Sequence, residues 1–192
     1  MDIVFASHNA HKRAEVEAIM AAIWPDVHLI APSGDAPDET GDTFEENALI
    51  KARAGHAVTG LPTIADDSGI CVDALGGDPG VRSARYSPTG EDRDNLELLL
   101  ANVGESEERR AHFVCAVAFV ADGEEHVLER SWHGSIATSP AGSGGFGYDP
   151  IFIPEGSYVT AAELAPEEKS AVSHRGQAFR ALADFLRVWQ GE

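Results

Sequence analysis

Positive charge is what this chain has least of. Its 192 residues carry 14 Lys+Arg against 32 Asp+Glu, a formal net charge of −18 at pH 7. Duplex nucleic acid and anionic membrane surfaces both need a basic footprint, so neither is an expected partner. A small anionic ligand is not excluded, because charges lining a site outweigh a distant, salt-screened field. Lysine is scarcest: Lys12, Lys51 and Lys169 are the three in the chain, and arginine serves elsewhere. A chain so sparing of lysine marks places where a compact ammonium matters. Cysteine is nearly missing too. Cys71 and Cys115 both lie in apolar runs and read as small buried hydrophobes of a reducing compartment. C-x-x-C and Cys/His metal clusters do not occur. No apolar run reaches about 18 residues, so no membrane span is expected. The start, Met1 to Ala6, has no basic region and leads straight into a strand pattern. No secretory signal is therefore expected, and the cytoplasm is the default location. One domain over residues 1–192, with two lobes at most, suits this length.

What is present centres on Ala65-Asp66-Asp67-Ser68-Gly69. The run Leu61-Pro62-Thr63-Ile64 before it reads as a buried strand opened by proline, ending at the two aspartates. Neighbouring side chains on extended backbone point to opposite faces, so Asp66 and Asp67 are expected to do different jobs. Carboxylates at the carboxyl end of a strand in an α/β sheet sit where ligands bind, although Asp-Ser-Gly is also an ordinary turn.

Other stretches surround this one. Asp2 to Ala6 reads as a strand, Ser7 to Lys12 as a polar turn, and Val16, Ile19, Met20 and Ile23 as one face of a helix stopped before Pro25. Strand, turn and helix in that order aim a helix N-terminus at phosphate, but P-loop glycines are missing, and a plain turn capped by Asn9 is the alternative. Val27 to Ile30 suggests a second strand. Thr43-Phe44-Glu45-Glu46 is a capping box opening a helix to about Val58, with Asn47 and Lys51 on one face. Glu46 is explained by the cap, whereas Glu39, in the loop before it, is not. Gly69 to Leu75 reads as another strand, and Asp92 or Asp94 starts a helix ending near Gly104. His112 to Val120 and His126 to Ile136 form a hairpin, expected in a second lobe or on an oligomer surface, with His126 and His133 as plain strand residues. Ser139 to Pro150 is glycine-rich, with Phe146 and Tyr148 as aromatic faces beside Asp149, a combination suited to a flat heterocycle. Lys169, His174 and Arg175 gather donors ahead of a terminal helix packing Phe179, Leu182, Leu186 and Trp189.

Five of these stretches together resemble the inosine triphosphate pyrophosphatase family. They are Ser7-x-Asn9-x-x-Lys12, Glu46-Asn47-Ala48-x-x-Lys51-Ala52, Ala65 to Gly69, Gly144 to Pro150, and Glu168-Lys169-Ser170-Ala171-x-Ser173-His174-Arg175. They occur in family order across nearly the whole chain, and His8, where a small residue is common, is the one variation. The resemblance implies an elongated mixed β-sheet with flanking helices, an α/β fold with two lobes around a central nucleotide-binding cleft, as a homodimer. It implies Mg²⁺-dependent hydrolysis of ITP, dITP and XTP to the monophosphate and pyrophosphate, cleansing the nucleotide pool.

Carried over by position, Ser7, His8, Asn9, Ala10, His11 and Lys12 would hold the phosphates, with Lys51 adding countercharge. Glu39 and Asp67 would bind the metal, and Asp67 would also accept a proton, with Asp66 beside it. Ser68, Phe146, Gly147, Tyr148, Asp149, Lys169, His174 and Arg175 would line the nucleotide site. Two other readings stay open. Septum-formation-inhibitor-like pyrophosphatases, acting on modified pyrimidine or 7-methylguanosine triphosphates, share the fold, and a nucleotide sensor could keep the pocket without turnover. Gly-Phe-Gly-Tyr-Asp and Ser-His-Arg favour the purine enzyme over the first. The Asp66-Asp67 pair with Glu39 counts against the second.

Overall fold

The computed structural model describes residues 1–191. Its main elements are β1 (Asp2–Phe5), α1 (Ala10–Ile23), β2 (His28–Ile30), α2 (Phe44–Thr59), β3 (Thr63–Val72), α3 (Asp92–Val103), β4 (Arg110–Ala121), β5 (Glu124–Ile136), β6 (Phe152–Pro154), α4 (Pro166–Val172) and α5 (His174–Gln190). The strands hydrogen-bond in the order β2-β1-β3-β4-β5-β6. β1 is parallel to β2 and to β3, with Phe5 opposite Ile64, whereas β5 and β6 are antiparallel. The expected mixed α/β class is what forms.

One element departs from its pattern. β3 does not end at the aspartates but runs unbroken through Asp66, Asp67, Ser68 and Gly69 to Val72. Asp, Ser and Gly are poor strand formers, but strand preference is set mainly by neighbours. Here β4 continues beside β3 after β1 has stopped at Phe5. The two carboxylates therefore lie just beyond the carboxyl end of β1, which keeps them in the kind of position where α/β sheets bind ligands.

The described chain divides into two compact units. The first comprises Met1–Asp67, Cys115–Arg130 and the chain from Arg175 onward. Its core joins Ile3, Phe5 and Ile64 of the parallel strands to Val16, Ile19 and Met20 of α1 and Phe179, Leu182 and Leu186 of α5. Those helical residues recur at three- and four-residue spacing, the stripe that buries a helix against a sheet. Phe5 and Phe179 meet edge-on at 5.8 Å. Phe119 is fully buried in the same cluster, and truncating it to alanine is expected to cost about 3–5 kcal/mol. α2 starts as its sequence predicts, with Thr43 and Glu46 forming the reciprocal capping box, and it ends at Thr59, where Gly60 takes the left-handed position.

The second unit comprises Ser68–Val114 and Ser131–His174. Its core gathers Ile70, Val72, Leu96, Leu99, Phe113, Trp132, Ile151 and Phe152. The hairpin of β4 and β5, expected in a second lobe or on an oligomer surface, is divided between the two units. Its tip and the adjoining strand halves belong to the first unit, and its open ends to the second. Phe113 to Ala121 are all buried, as befits a strand in the interior of the sheet order rather than an edge. Among the described residues no helix is long and apolar enough to cross a membrane.

Candidate active site

The first unit brings together Ser7 to Lys12, Glu39, Lys51, Asp66, Asp67 and Arg175. Strand alternation separates the two aspartates as the sequence predicts. Asp66 turns toward α1 and α5, where its Oδ2 meets Lys12 Nζ at 3.3 Å and Arg175 Nη2 at 3.3 Å. Arg175 is itself almost wholly buried, and its Nη1 donates to Glu15. Glu15 belongs to no motif of the sequence, although its spacing three residues after Lys12 puts both on one helix face. Asp67 takes different partners. Its Oδ1 accepts from Lys51 Nζ at 3.0 Å, and the same ammonium donates to Glu39 Oε1 at 2.8 Å. Glu39 thus reaches the strand through Lys51, which α2 holds in place.

The environments drive the two carboxyls apart. Burial pushes the Asp66 carboxyl up, but Lys12, Arg175 and Lys51 outweigh it and hold the group far below the usual carboxylate range. For Asp67 burial also pushes up, Glu39 adds to it, and Lys51 with Lys12 does not fully compensate, so the carboxyl stays raised. Lys51, though buried, is held more basic than usual by Asp67, Asp66 and Glu39. Each aspartate keeps one buried oxygen without a hydrogen-bond partner, Oδ1 of Asp66 and Oδ2 of Asp67. A buried lone pair left unpaired is costly, which is a reason to look for a ligand there.

The turn before α1 is ordered by Asn9, whose side chain caps the helix by accepting from Lys12 N–H at 3.0 Å. The capping alternative for Asn9 is therefore realised, while Lys12 Nζ reaches across to Asp66. Ser7 is buried, whereas His8, Ala10 and His11 are exposed. The His8 ring donates through Nε2 to the Gly34 carbonyl at 3.0 Å, fastening the turn to the loop that leads to Glu39.

The second unit brings together Ser68, Phe146, Gly147, Tyr148, Asp149, Lys169 and His174. Asp149 is buried, and its Oδ2 accepts from Lys169 Nζ at 2.6 Å and from Phe146 N–H at 2.9 Å. Gly145 sits against this carboxylate with φ +66°, where a Cβ would overlap Asp149 Oδ2. That explains why glycine precedes Phe146. Gly147 N–H donates to Asp92 Oδ2 at 2.9 Å, so the first turn of α3 anchors the loop. Lys169 Nζ lies 5.2 Å from the Phe146 ring centre. Tyr148 belongs to the core, with its hydroxyl donating to the Ser83 carbonyl at 2.7 Å. Its ring is not the open face the loop composition suggested. Phe146 is half-buried.

His174 is buried, and its ring lies flat against Phe113, centroids 4.7 Å apart and planes 6° apart. Trp132 lies beyond at 6.2 Å. This platform fixes the imidazole plane. Phe113 and Trp132 were invisible as site residues because an aromatic in a strand reads as core, and these are core as well. Ser68 follows Asp67 directly on β3 and is half-buried.

The Ham1 family profile matches residues 3–185 of the chain. A dITP/XTP pyrophosphatase of Streptomyces avermitilis is 50% identical over 197 residues, covering 98% of this chain and 98% of that protein. The solved Ham1 protein of Staphylococcus aureus superposes with a TM-score of 0.86 at 40% identity, covering 97% of this chain and 98% of its own. A Mycobacterium abscessus structure described as a nucleoside-triphosphatase and dITP/XTP pyrophosphatase is 52% identical, with a TM-score of 0.76 and coverage of 95% and 98%.

Proposed function

The chain belongs to the Ham1 family, and from that premise we infer that it is a nucleoside triphosphate pyrophosphatase. It hydrolyses noncanonical purine nucleoside triphosphates, ITP, dITP and XTP, to the monophosphate and pyrophosphate. The observation that carries the chemistry is the split Asp66-Asp67 pair, one carboxylate enclosed by Lys12 and Arg175, its neighbour sharing Lys51 with Glu39 and keeping a buried oxygen without a partner. Adjacent titrating groups given such different partners mark an acid–base assignment.

Asp67 is the base of this reaction. Its raised proton affinity suits it to take the proton from the water that attacks the α-phosphorus. The new bond joins the water oxygen to that phosphorus, the bond to the bridging oxygen breaks, and the electron pair leaves with pyrophosphate. Lys12 and Lys51 supply positive charge for the departing oxygens, and the start of α1 adds its partial charge. Asp66, tied to Lys12 and Arg175, orients the lysine instead of reacting.

Glu39 and Asp67 fit a hard cation such as Mg²⁺. Both already converge on the Lys51 ammonium, and Asp67 keeps a buried oxygen without a partner. Among the described residues no group of three His, Cys, Asp or Glu could hold an ion by itself. That agrees with Mg²⁺, which takes one or two carboxylates and completes its shell with water and phosphate. When bound it would neutralise phosphate charge and orient the reacting groups.

Base choice rests on donors facing O6. His174 on its aromatic platform and Lys169 provide them, and the adenine amino group would present a donor to donors. Buried polar groups left unpaired in this way discriminate by up to about 10⁴. Arg175 is engaged by Asp66 and Glu15, so its share in base reading is indirect.

The test is pyrophosphate release from ITP, XTP, ATP, GTP and 7-methylguanosine triphosphate, with and without Mg²⁺. ITP and XTP are expected to exceed ATP, whose 6-amino group meets those donors, by at least about 100-fold in kcat/KM, roughly 2.7 kcal/mol. Comparable turnover of ATP refutes the base reading, and turnover that ignores Mg²⁺ refutes the metal assignment. Homodimer formation and a cytoplasmic location complete this reading, and sedimentation and cell fractionation test them.

A further inference from the structure

β4 and β5 are neighbours joined by a turn at Asp122-Gly123. Phe113 and Trp132 point into the core of the second unit, their rings 6.4 Å apart. Successive strand residues take opposite faces, so His112 and His133, each one step from these aromatics, face away from that core. The two histidines are equidistant from the turn, and their rings lie 5.4 Å apart, tilted by 33°. Both open into a groove of about 580 Å³ that Asp73, Arg110 and Glu155 also line.

We propose that His112 and His133 form a two-imidazole site for a divalent transition-metal ion such as Zn²⁺ or Ni²⁺. The spacing is the first reason. Two imidazoles on one tetrahedral ion, with metal–nitrogen bonds of about 2.0–2.1 Å, place their ring centres about 5 Å apart. Charge is the second. Arg110 is paired with Glu108 at 2.6 Å and faces Asp73 at 3.5 Å, so its charge is countered and Glu155 leaves the groove net negative. Imidazole nitrogens suit Zn²⁺, Cu²⁺ and Ni²⁺, whereas carboxylate oxygens suit Mg²⁺. The site is therefore chemically separate from Glu39 and Asp67. Among the described residues no group of three His, Cys, Asp or Glu could hold an ion, so solvent would complete its coordination.

The experiment is calorimetric titration of the whole chain with ZnCl₂ and with NiCl₂, without nucleotide, alongside His112→Ala, His133→Ala and His126→Ala. One ion per chain is expected, weakened at least tenfold by either of the first two substitutions and unchanged by the third. MgCl₂ should give no such binding. Melts without metal establish that the variants fold, with His133→Gln as a bulkier second variant expected to show the same loss. Turnover of ITP with Mg²⁺ should be unchanged in His133→Ala, which keeps this site's test apart from that of the hydrolase. Absence of binding in the wild type overturns the proposal. So does equal affinity in both His112→Ala and His133→Ala, or an equal loss in His126→Ala, because the other histidines of the eight would then be responsible.

Discussion

Each unit buries one lysine against one aspartate, and the two pairs are built for opposite ends. In the second unit Asp149 receives Lys169 and the Phe146 N–H on a single oxygen, and glycine stands where any side chain would collide with it. The carboxylate folds the loop around itself. In the first unit Lys51 is shared between Asp67 and Glu39, and Asp67 retains a buried oxygen without a partner. The same pair of residue types thus fixes a conformation in one place and stays poised for chemistry in the other. What separates them is the use of the carboxylate: Asp149 is committed to folding its own loop, whereas Asp67 shares its ammonium with Glu39 and keeps an oxygen uncommitted.

Four changes would break or sharpen that contrast. The largest effect belongs to Asp67→Asn, which keeps shape while removing charge and basicity. Turnover of ITP at saturating Mg²⁺ should fall by about 10² to 10⁴ in a normally folded protein. Activity within about tenfold of wild type would make Asp67 another structural aspartate, like Asp149.

Asp149→Ala comes next, and here stability should respond. It leaves the buried Lys169 charge uncompensated, which typically costs about 3–5 kcal/mol and lowers the melting temperature by about 10 °C. An unchanged melt with turnover lost as in Asp67→Asn would place the reactive carboxylate in the wrong unit.

Lys12→Ala should weaken binding of inosine triphosphate at least about tenfold, roughly 1.4 kcal/mol, while leaving inosine itself nearly unaffected. Titration with both ligands decides it. Equal weakening would reduce Lys12 to a structural partner of Asp66.

The smallest effect concerns stability against pH. A raised carboxyl contributes stability below its unfolded pKa of about 4 and loses that contribution as pH rises through its folded value. Ionised Asp67 is therefore a cost at pH 7, and Asp67→Asn should melt about 1–3 °C higher there, with the gain shrinking toward pH 4. Asp66 has the reverse sign, since its depressed carboxyl stabilises above about pH 4 and loses this only as pH falls through the depressed value. Asp66→Asn should accordingly melt lower at pH 7. Both variants moving the same way would show that burial alone, and not the partners, governs the pair.

Much of the framework was legible in the chain itself. Thr43 and Glu46 open α2, and Gly104 closes α3, because caps depend on residues a few positions apart. The Val16, Ile19 and Met20 stripe of α1 and the alternation that sends Asp66 and Asp67 to different faces follow from backbone periodicity. All three lysines meet a carboxylate of a recognisable motif: Asp66, Asp67 with Glu39, and Asp149.

The tertiary structure decided the rest. Nothing local said that β3 would run through its aspartates, because the strand that extends them, β4, arrives from more than forty residues away. Tyr148 becomes core because Ser83 offers its hydroxyl a buried acceptor, and Phe113 becomes a platform because His174 lands flat upon it. Above all, Asp66 and Asp67 are identical neighbours in the chain. Their proton affinities separate only when α1 and α5 bring Lys12 and Arg175 to one, while α2 and its preceding loop bring Lys51 and Glu39 to the other. Charges act through space and burial, and neither is written in the order of the residues.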